Sequence, residues 1–452
     1  MGILTRIFGA KNRDNQDISE SSELSGAGME GMKIVPSSRD PIPVTLEVLK
    51  RLFPIRNLDD DQLNAFSLER NAEVYGPGTI LFRAGETIKH VHYLLEGVVA
   101  MDVGAGKTYE ISADTAKARF PLCCGKHYTA TAEAKTDVQI LRVSSRIMGL
   151  GSTRGGEIPH VLDAGPGEIP DSVRESSLFQ AFSQYYRDEE LHIPSLPEVA
   201  LRLGRAIQAE VSLAEVAKIV QLDPVIAAKL VHVANSPLYL PSRPIVTCLD
   251  AVARLGLIAT RNLVTAFALR QIFKCKDPHL AKIFQAYWKQ SVYLSSLCYV
   301  LAADNPGMNR EEALFAGLIA DIGVVPFLYF ADHLPREFWR PEDIDTVAPY
   351  VRGPVGAYLL RHWDFPHDLA VIPLVAEDWY YDGGERLTLN DIVILSKLHA
   401  YIGTTRMASL PAINSIPACS KLKDGRLSPA YSLNVLHEAK DTITQAMKFF
   451  EI

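Results

Sequence analysis

The stretch AGLIADIGVV, residues 316–325, sets a single carboxylate, Asp321, among apolar residues and glycines. This composition is typical of the inside of a helix that is buried on all sides. A buried carboxylate must accept hydrogen bonds or stay protonated, so Asp321 indicates a polar partner in the core. Whether that partner is a metal ion or a side chain is the first question about function.

The region around this stretch predicts helices from about Leu191 to His399. Asp223 and Pro224 suit the N-cap and first position of a helix, and Asn235 suits its C-terminal end. Ser212 and Glu215 form the pattern of a capping box. Longer helices are predicted around 259–274, 279–303 and 311–330. No strand is needed here, so we expect an all-α bundle.

A different pattern precedes the helical region, from about Thr45 to Ser145. After two short helices come alternating segments separated by turn residues, including AEVYGPGTILFRAGE at 72–86 and HVHYLLEGVVAMDV at 90–103. They predict short antiparallel strands of a β-barrel of jelly-roll type. His90 and His92 would share one face of a strand, and we expect that face to be solvated.

Composition divides the chain further. Residues 9–42 are rich in Asp, Glu, Ser, Gly and Asn, and residues 149–171 contain several Gly and Pro. The first segment, Gly2–Phe8, could be a frayed terminus or a short helix that docks to a membrane or partner. The predicted divisions are a disordered tail at 1–44, a β domain at 45–148, a linker at 149–186, a helical domain at 187–400, and an extension with an amphipathic helix at 401–452.

The bulk numbers exclude several classes of protein. The 452 residues carry a formal charge of −7, so a basic footprint for nucleic acid is absent from the chain as a whole. The six cysteines include no C-x-x-C pair, which argues against a zinc knuckle or a dithiol redox motif. No signal peptide is present, and no apolar run approaches the roughly 20 residues that span a bilayer. We therefore expect a cytoplasmic protein without stable membrane insertion.

The helical region resembles the HDOD domain, the HD-related output domain of bacterial signalling proteins. The matching residues are Leu196-Pro197, Asp223-Pro224, Ala234-Asn235-Ser236, Tyr239, Pro244-Ile245, AVARLG at 251–256, Arg261-Asn262-Leu263 and EEALFAGLIADIG at 311–323. This resemblance covers about 200 residues. It implies a bundle related to metal-dependent HD phosphohydrolases, generally without catalysis and used for regulation.

The residues that would bind metal in such a bundle are largely replaced here. An adjacent His-Asp pair is the usual anchor, and Ala320 stands in the histidine position before Asp321. By the same resemblance, other ligand positions or their neighbours hold Gln290, Arg352, Glu377, Asp378 and Lys397. Amide and cationic side chains are poor ligands for a divalent cation. We therefore expect no catalytic residues, no metal and no cofactor, with Asp321 as a vestigial position hydrogen-bonded by Arg352 or Lys397. The one His-Asp dipeptide, His367-Asp368, is expected to begin a helix.

The β region resembles the cyclic nucleotide-binding domain. The matching residues are Tyr75, Pro77-Gly78, Ile80, Phe82, Gly85-Glu86, Tyr93, Leu95 and Gly97. The family's phosphate cassette corresponds to RFPLCCGKHYTATAEA at 119–134, in which the Gly and Glu after Phe120 are missing. Tyr128 stands in the position of the phosphate-binding arginine, before Thr129 and Thr131. The pocket formed by Glu86, Tyr128, Thr129 and Thr131 is therefore expected to be degenerate.

These features predict a non-catalytic bacterial signal-transduction regulator, a pseudoenzyme that acts through protein–protein contacts of the HDOD domain. Its expected partners are other signalling proteins; a small ligand in the barrel and a homodimer stay open, and nucleic acid is not expected. Two alternatives remain. One is a sensor of a cyclic nucleotide or another small ligand. The other is a metal-dependent phosphohydrolase of the HD superfamily.

Overall fold

The computed structural model describes residues 42–150 and 169–422, apart from 59, 105–107, 126, 188–193, 238, 240–242, 276 and 336–337, together with residues 440 and 444. The chain divides into two compact units, Met1–Gly151 and Ser152–Ile452, called here the β unit and the helical unit. The predicted N-terminal tail up to residue 41, including Gly2–Phe8, lies outside the described residues. So does the predicted C-terminal amphipathic helix, apart from residues 440 and 444.

The β unit contains two four-stranded sheets whose paired strands are all antiparallel. Its elements are β1 Ile42–Pro43, α1 Leu46–Leu49, α2 Asp60–Glu69, β2 Asn71–Tyr75, β3 Ile80–Phe82, β4 His90–Glu96, β5 Val98–Asp102, β6 Thr108–Ser112, β7 Thr131–Ala134 and β8 Val138–Ser144. The sheets have the orders β1-β2-β8-β4 and β3-β7-β5-β6. The predicted fold class of this unit is confirmed, as two sheets rather than one closed barrel.

One glycine shows why the sequence turns where it does between β4 and β5. Gly97 has a φ of +89°, and a Cβ atom there would lie 2.3 Å from the backbone oxygen of Asp137. Only glycine tolerates both the positive φ and this close approach. The turn therefore holds the β5 end of one sheet beside the segment that leads into β8.

The helical unit contains no strand among its described residues, which confirms the predicted all-α class. Its helices are α3 Asp171–Arg174, α4 Ser177–Arg187, α5 Glu198–Gln208, α6 Leu213–Val220, α7 Pro224–Ala234, α8 Cys248–Leu255, α9 Leu257–Ile272, α10 Pro278–Ala303, α11 Arg310–Ile319, α12 Val324–His333, α13 Pro341–His362, α14 His367–Ala370, α15 Ile372–Val375, α16 Leu389–Ala400 and α17 Pro417–Ser420. The predicted caps at Ser212 and Asp223 are present, each accepting a hydrogen bond from a backbone N–H in the first turn of its helix.

The core of the helical unit is built around α11, which packs against α10 and α16. Glycines allow the closest approaches in this region. A Cβ atom on Gly317 would lie 2.7 Å from the Cα of Ser295 in α10. A Cβ atom on Gly323 would lie 2.0 Å from the backbone oxygen of Arg352 in α13. The turn between α11 and α12, which carries Asp321, is therefore held directly against α13.

The packed helical unit extends beyond the predicted limits of 187 and 400. Phe182 in α4 is fully buried, and its ring centroid lies 5.1 Å from that of Phe327 in α12. Ile416 and Cys419 are also fully buried. Residues 169–187 and 401–422, predicted as linker and extension, thus contribute side chains to this core.

One helical stretch, Arg310–His333, is long and apolar enough to cross a membrane. The pair Cys248–Leu255 and Leu257–Ile272 passes the same test together, although it is bent by 116°. The prediction that no apolar run approaches this length is therefore wrong. However, 89% of the apolar window in Arg310–His333 is buried inside the protein, as in the core helix of a globular domain.

Candidate functional site

Asp321 is buried against two cations from distant parts of the sequence. The Nζ of Lys397, in α16, lies 2.7 Å from both carboxylate oxygens of Asp321. The Nε of Arg352, in α13, lies 3.3 Å from Oδ1. The side chains of Lys397 and Asp321 are only 1% and 2% exposed, so this ion pair is shielded from water.

A second carboxylate, Glu377, shares the same cations. Its Oε1 lies 3.3 Å from the Nζ of Lys397 and forms an ion pair with Nη2 of Arg352. Its Oε2 lies 2.6 Å from Nη2 of Arg406, and the Tyr401 hydroxyl donates to Oε1 over 2.6 Å. The five charged residues, Asp321, Arg352, Glu377, Lys397 and Arg406, are called here the charge cluster.

Each member of the charge cluster comes from a different element of the helical unit. Asp321 lies in the turn between α11 and α12, and Glu377 follows α15 by two residues. Arg406 lies in the short 3-10 helix Thr405–Ser409. A Cβ atom on Gly356 would lie 2.8 Å from the Cβ of Pro373, so α13 approaches α15 closely. This packing brings the Arg352 side of α13 next to both carboxylates.

The electrostatics of the cluster keep both carboxylates charged. Burial alone would raise the pKa of Asp321, but the charges of Arg352 and Lys397 outweigh it and hold the pKa below its usual value. Burial would likewise raise the pKa of Glu377, but the charges of Arg352, Lys397 and Arg406 outweigh it and hold the pKa below its usual value. Burial would lower the pKa of Arg352, whereas the two carboxylates raise it. The cluster therefore holds three cations and two anions near neutral pH.

Two tyrosines complete the surroundings of the cluster. Burial, and then the charge of Glu377, raises the pKa of Tyr401 well above its usual range. Burial raises the pKa of Tyr287, in α10, to about 12. Both phenols are therefore neutral near pH 7. Neither is set up as a general base, since a base must lose its proton near the working pH.

The cluster does not fit a divalent metal ion. In the parts of the chain that the structure describes, no group of three or more His, Cys, Asp or Glu side chains could hold one. The two available carboxylates already accept hydrogen bonds from cationic side chains. A metal ion would have to displace Lys397 and lie beside Arg352, and cations are not ligands.

The other positions predicted from sequence lie as follows. Ala320 is fully buried directly before Asp321 and has no atom to offer a ligand. Gln290 is half-buried in α10 and makes no hydrogen bond to the described members of the charge cluster. His367 and Asp368 are exposed at the start of α14, as predicted.

Sequence reasoning missed the contributions of Tyr401 and Arg406. Both lie beyond residue 400, in the region predicted as an extension. Arg406 stands in GTTRMASL, residues 403–410, and nothing in that segment indicates a buried acidic partner. The HDOD resemblance had indicated the other charged members of the cluster, placing Glu377 near a ligand position and Arg352 and Lys397 as donors to Asp321.

The residues predicted to form a pocket in the β unit are tied together by hydrogen bonds. The backbone N–H of Tyr128 donates to the backbone oxygen of Glu86 over 2.9 Å, and Thr131 Oγ1 accepts from the N–H of Ala84 over 3.1 Å. Thr129 donates its N–H to the Sγ of Cys123 over 3.4 Å. These bonds hold the segments that carry Glu86, Tyr128, Thr129 and Thr131 next to their neighbours in the β unit.

The tyrosine in place of the phosphate-binding arginine is used for packing. The Tyr128 ring stacks on Phe82 with centroids 4.0 Å apart, and its hydroxyl donates to the backbone oxygen of His90 over 2.7 Å. The pKa of this phenol is raised above its usual range, mainly by burial. Tyr128 is thus a neutral, buried side chain and supplies no positive charge to a phosphate.

His92 corrects a prediction about β4. It was expected on a solvated face with His90, but it is only 7% exposed and its ring lies 5.1 Å from that of Phe82. Burial, followed by the charges of Arg142 and His90, lowers the pKa of His92 to about 3. The histidine is therefore neutral at physiological pH and belongs to the core of the β unit.

Two protein-family models match this chain. The HDOD domain matches residues 193–377, in the helical unit, and the cyclic nucleotide-binding domain matches residues 72–148, in the β unit. A curated relative, an uncharacterized protein of Treponema pallidum (strain Nichols), is 21% identical over 184 residues. That match covers 38% of this chain and 35% of the relative, so it spans about a third of the relative's length.

Several solved structures are similar to parts of this chain. An HDOD domain protein with unknown function from Geobacter sulfurreducens is 20% identical and covers 62% of this chain and 100% of its own, with a TM-score of 0.45. A candidate metal-dependent phosphohydrolase from Shewanella amazonensis SB2B is 24% identical and covers 60% and 99%, with a TM-score of 0.49. A cyclic nucleotide-binding-like protein from Brucella abortus is 16% identical and covers 23% and 93%, with a TM-score of 0.20.

Proposed function

We propose that this chain, which matches an HDOD domain and a cyclic nucleotide-binding domain, is a signalling protein that regulates by protein–protein contact rather than by catalysis. The observation that carries the proposal is the charge cluster. Lys397 and Arg352 are bonded to the acids that a hydrolytic metal would need. We also propose a cytoplasmic location, because the six cysteines, all of which the structure describes, form no disulfide.

The first step concerns the metal. Phosphate-ester hydrolysis in an HD-type bundle needs a divalent ion that activates water and polarises the phosphate. A divalent ion placed about 4 Å from a buried cation is repelled by on the order of 8 kcal/mol at an effective dielectric constant of about 20. Lys397 and Arg352 would each contribute such repulsion. The cluster therefore favours its own cations over an added metal.

The second step concerns what the cluster does instead. It joins five separate segments of the helical unit through ion pairs. The side chains of Asp321, Lys397 and Arg352 are at most 8% exposed, whereas those of Glu377 and Arg406 are 20% and 37% exposed. Buried charges of this kind are retained when they fix one arrangement of the chain, although they add little net stability over an apolar core. We assign the cluster a structural role that preserves the bundle's shape for partner recognition.

The third step concerns the surface that a partner would bind. Five large aliphatic side chains are exposed on α6, α7, α8 and the loops between them: Leu213, Leu222, Val225, Val246 and Leu249, at 40%, 59%, 62%, 78% and 45%. These three helices pack against one another. Several exposed aliphatic side chains on neighbouring elements favour a protein-binding surface, called here the α6–α8 surface.

The experiment combines full-length tagged protein with two matched substitutions. The wild type, Val246→Glu on the α6–α8 surface and Leu68→Glu in the β unit are each used to capture proteins from an extract of the native cell. Leu68→Glu is the control, because Leu68 is 90% exposed and lies outside that surface. We expect Val246→Glu to lose a partner that Leu68→Glu retains. Identical captured sets for all three proteins would contradict contact through this surface.

The two alternatives are tested on the same protein. A phosphohydrolase would release phosphate from nucleotides or cyclic dinucleotides with added manganese or magnesium, and Asp321→Asn would abolish that release; we expect no release. A cyclic nucleotide sensor would melt at higher temperature with millimolar cAMP, because a ligand that binds only the folded state stabilises it. With Tyr128 in place of the arginine, we expect no shift.

A further inference from the structure

A groove of about 790 Å³ lies on the helical unit between α7, the end of α9 and the start of α10. Its volume falls within the roughly 300–1,000 Å³ that is common for small-molecule sites. None of its lining residues belongs to the charge cluster. Three cations line it: Lys229, Arg270 and Lys274.

The three cations of this groove have one acid beside them in its lining, Asp223, whose charge acts on Lys229. None of them forms an ion pair with any residue that the structure describes. The lining acid, Asp223, uses its Oδ1 to accept the N–H groups of Val225 and Ile226 over 2.9 and 3.1 Å, which caps α7. The whole chain carries a net charge of −7, so three cations gathered around one acid are not a product of composition.

Two of the cations are held in place over aromatic rings. The Nζ of Lys229 lies 5.6 Å from the ring centroid of Phe267, and the Cζ of Arg270 lies 5.2 Å from that of Trp288. Cation–π contacts of this length are attractive and restrict the side chains. Because these two side chains are partly ordered before binding, ligand binding would cost less side-chain conformational entropy.

The three charges are also close enough to repel one another. Burial lowers the pKa of Lys229, the charges of Arg270 and Lys274 lower it further, and the charge of Asp223 acts in the opposite direction. Gathering three cations beside a single acid leaves an excess of like charge, which disfavours the folded chain. An anion in the groove would be attracted by all three cations and would offset their mutual repulsion.

We propose that this groove binds the polyphosphate group of a small molecule, such as a nucleoside triphosphate or inorganic polyphosphate. Guanidinium and ammonium groups are the usual side-chain donors to phosphate oxygens. Three cations on three elements match several phosphoryl groups better than one. Phe267 and Phe273 are buried at 2% and 5% exposure, so little aromatic surface is free to stack on a base. Recognition therefore rests on the phosphates, at a groove that shares Val225 with the α6–α8 surface.

The test is calorimetric titration of the full-length protein with tripolyphosphate, ATP and adenosine at constant ionic strength. We expect saturable binding of tripolyphosphate in the millimolar range or tighter, ATP within a few-fold of it, and no binding of adenosine. Binding of ATP without tripolyphosphate would overturn recognition through the phosphates. Absence of saturable tripolyphosphate binding would overturn the site itself.

Substitutions locate the site. Lys229→Gln and Lys274→Gln should each weaken tripolyphosphate binding by about tenfold, equivalent to about 1.4 kcal/mol. Lys218→Gln, on the exposed side of α6 and outside the groove, is the matched control and should bind as the wild type does. Equal weakening by all three would contradict the assignment. Without ligand, Lys274→Gln should melt no lower than the wild type, and a lower melting temperature would contradict the repulsion on which the inference rests.

Discussion

Replacing Asp321 by asparagine keeps the shape of the side chain and removes one negative charge from the charge cluster. Lys397 would lose both of its 2.7 Å contacts to a carboxylate and keep only Glu377, at 3.3 Å. Arg352 would also depend on Glu377 alone. One carboxylate would then face three cations, two of them buried at 1% and 8% side-chain exposure.

The expected cost follows from this imbalance. Removing one partner of a buried ion pair typically costs about 3–5 kcal/mol, because the remaining charge stays buried without compensation. For a domain of this size, each kcal/mol lowers the melting temperature by about 2–4 °C. Asp321→Asn should therefore lower the melting temperature of the helical unit by about 6–20 °C.

The assay is thermal unfolding of the full-length protein followed by far-ultraviolet circular dichroism. Asp345→Asn is the matched control, because Asp345 lies exposed in α13 and forms no ion pair with the described residues. An exposed substitution of this kind should change stability by less than about 0.5 kcal/mol. The comparison separates loss of a buried charge from a general effect of replacing Asp by Asn.

A second substitution tests the cause. Lys397→Met added to Asp321→Asn removes the stranded cation and leaves an apolar side chain of similar length. The double variant should be more stable than Asp321→Asn alone, because paired buried charges can be replaced together at little cost. A melting temperature unchanged by Asp321→Asn, or a double variant destabilised by the sum of the two single effects, would refute the reasoning.

Three further predictions concern pH, close packing and the β unit. The folded-state pKa values of both cluster carboxylates are depressed, so their contribution to the free energy of unfolding is complete above the unfolded-state pKa of about 4 and is lost as the pH falls below it. Urea unfolding at a series of pH values should show this loss of stability. The variant Glu377→Gln should lose less stability over the same pH range. Gly323→Ala would place a Cβ 2.0 Å from the backbone oxygen of Arg352 and should lower the free energy of unfolding by about 3 kcal/mol. Gly204→Ala, where a Cβ would meet open space, should raise it by up to about 1 kcal/mol. Equal effects of the two variants in denaturant unfolding would exclude the packing argument. Tyr128→Phe should lose about 1 kcal/mol with the hydroxyl's hydrogen bond to β4, and unchanged stability would show that this bond is dispensable.

Local signals in the sequence predicted much of the fold. Asp223 and Pro224 specify a helix start through their own side chains, so the start of α7 could be read without knowledge of its neighbours. The alternating segments likewise specified strands. The period of two placed His90 and His92 on one face, but it could not say how much of that face the neighbouring rings of the β unit would cover.

The charge cluster was only partly predictable for a physical reason. Asp321 and Lys397 are 76 residues apart, and their pairing depends on how five segments pack rather than on any local preference. The HDOD resemblance suggested donors at Arg352 and Lys397. Arg406 carries no such signal, because a single arginine in a polar segment is ordinarily solvated. Long-range charge pairs of this kind become visible only when the chain is folded.

The most direct test of the central claim is the metal content of the full-length protein. The protein is purified without chelators and equilibrated with manganese, iron or magnesium. Bound metal is then measured by elemental mass spectrometry. Because Lys397 and Arg352 are ion-paired with the carboxylates, we predict far less than one bound metal ion per chain. The metal content of Asp321→Asn should be the same as that of the wild type. One or more ions per chain, lost on Asp321→Asn, would contradict the account.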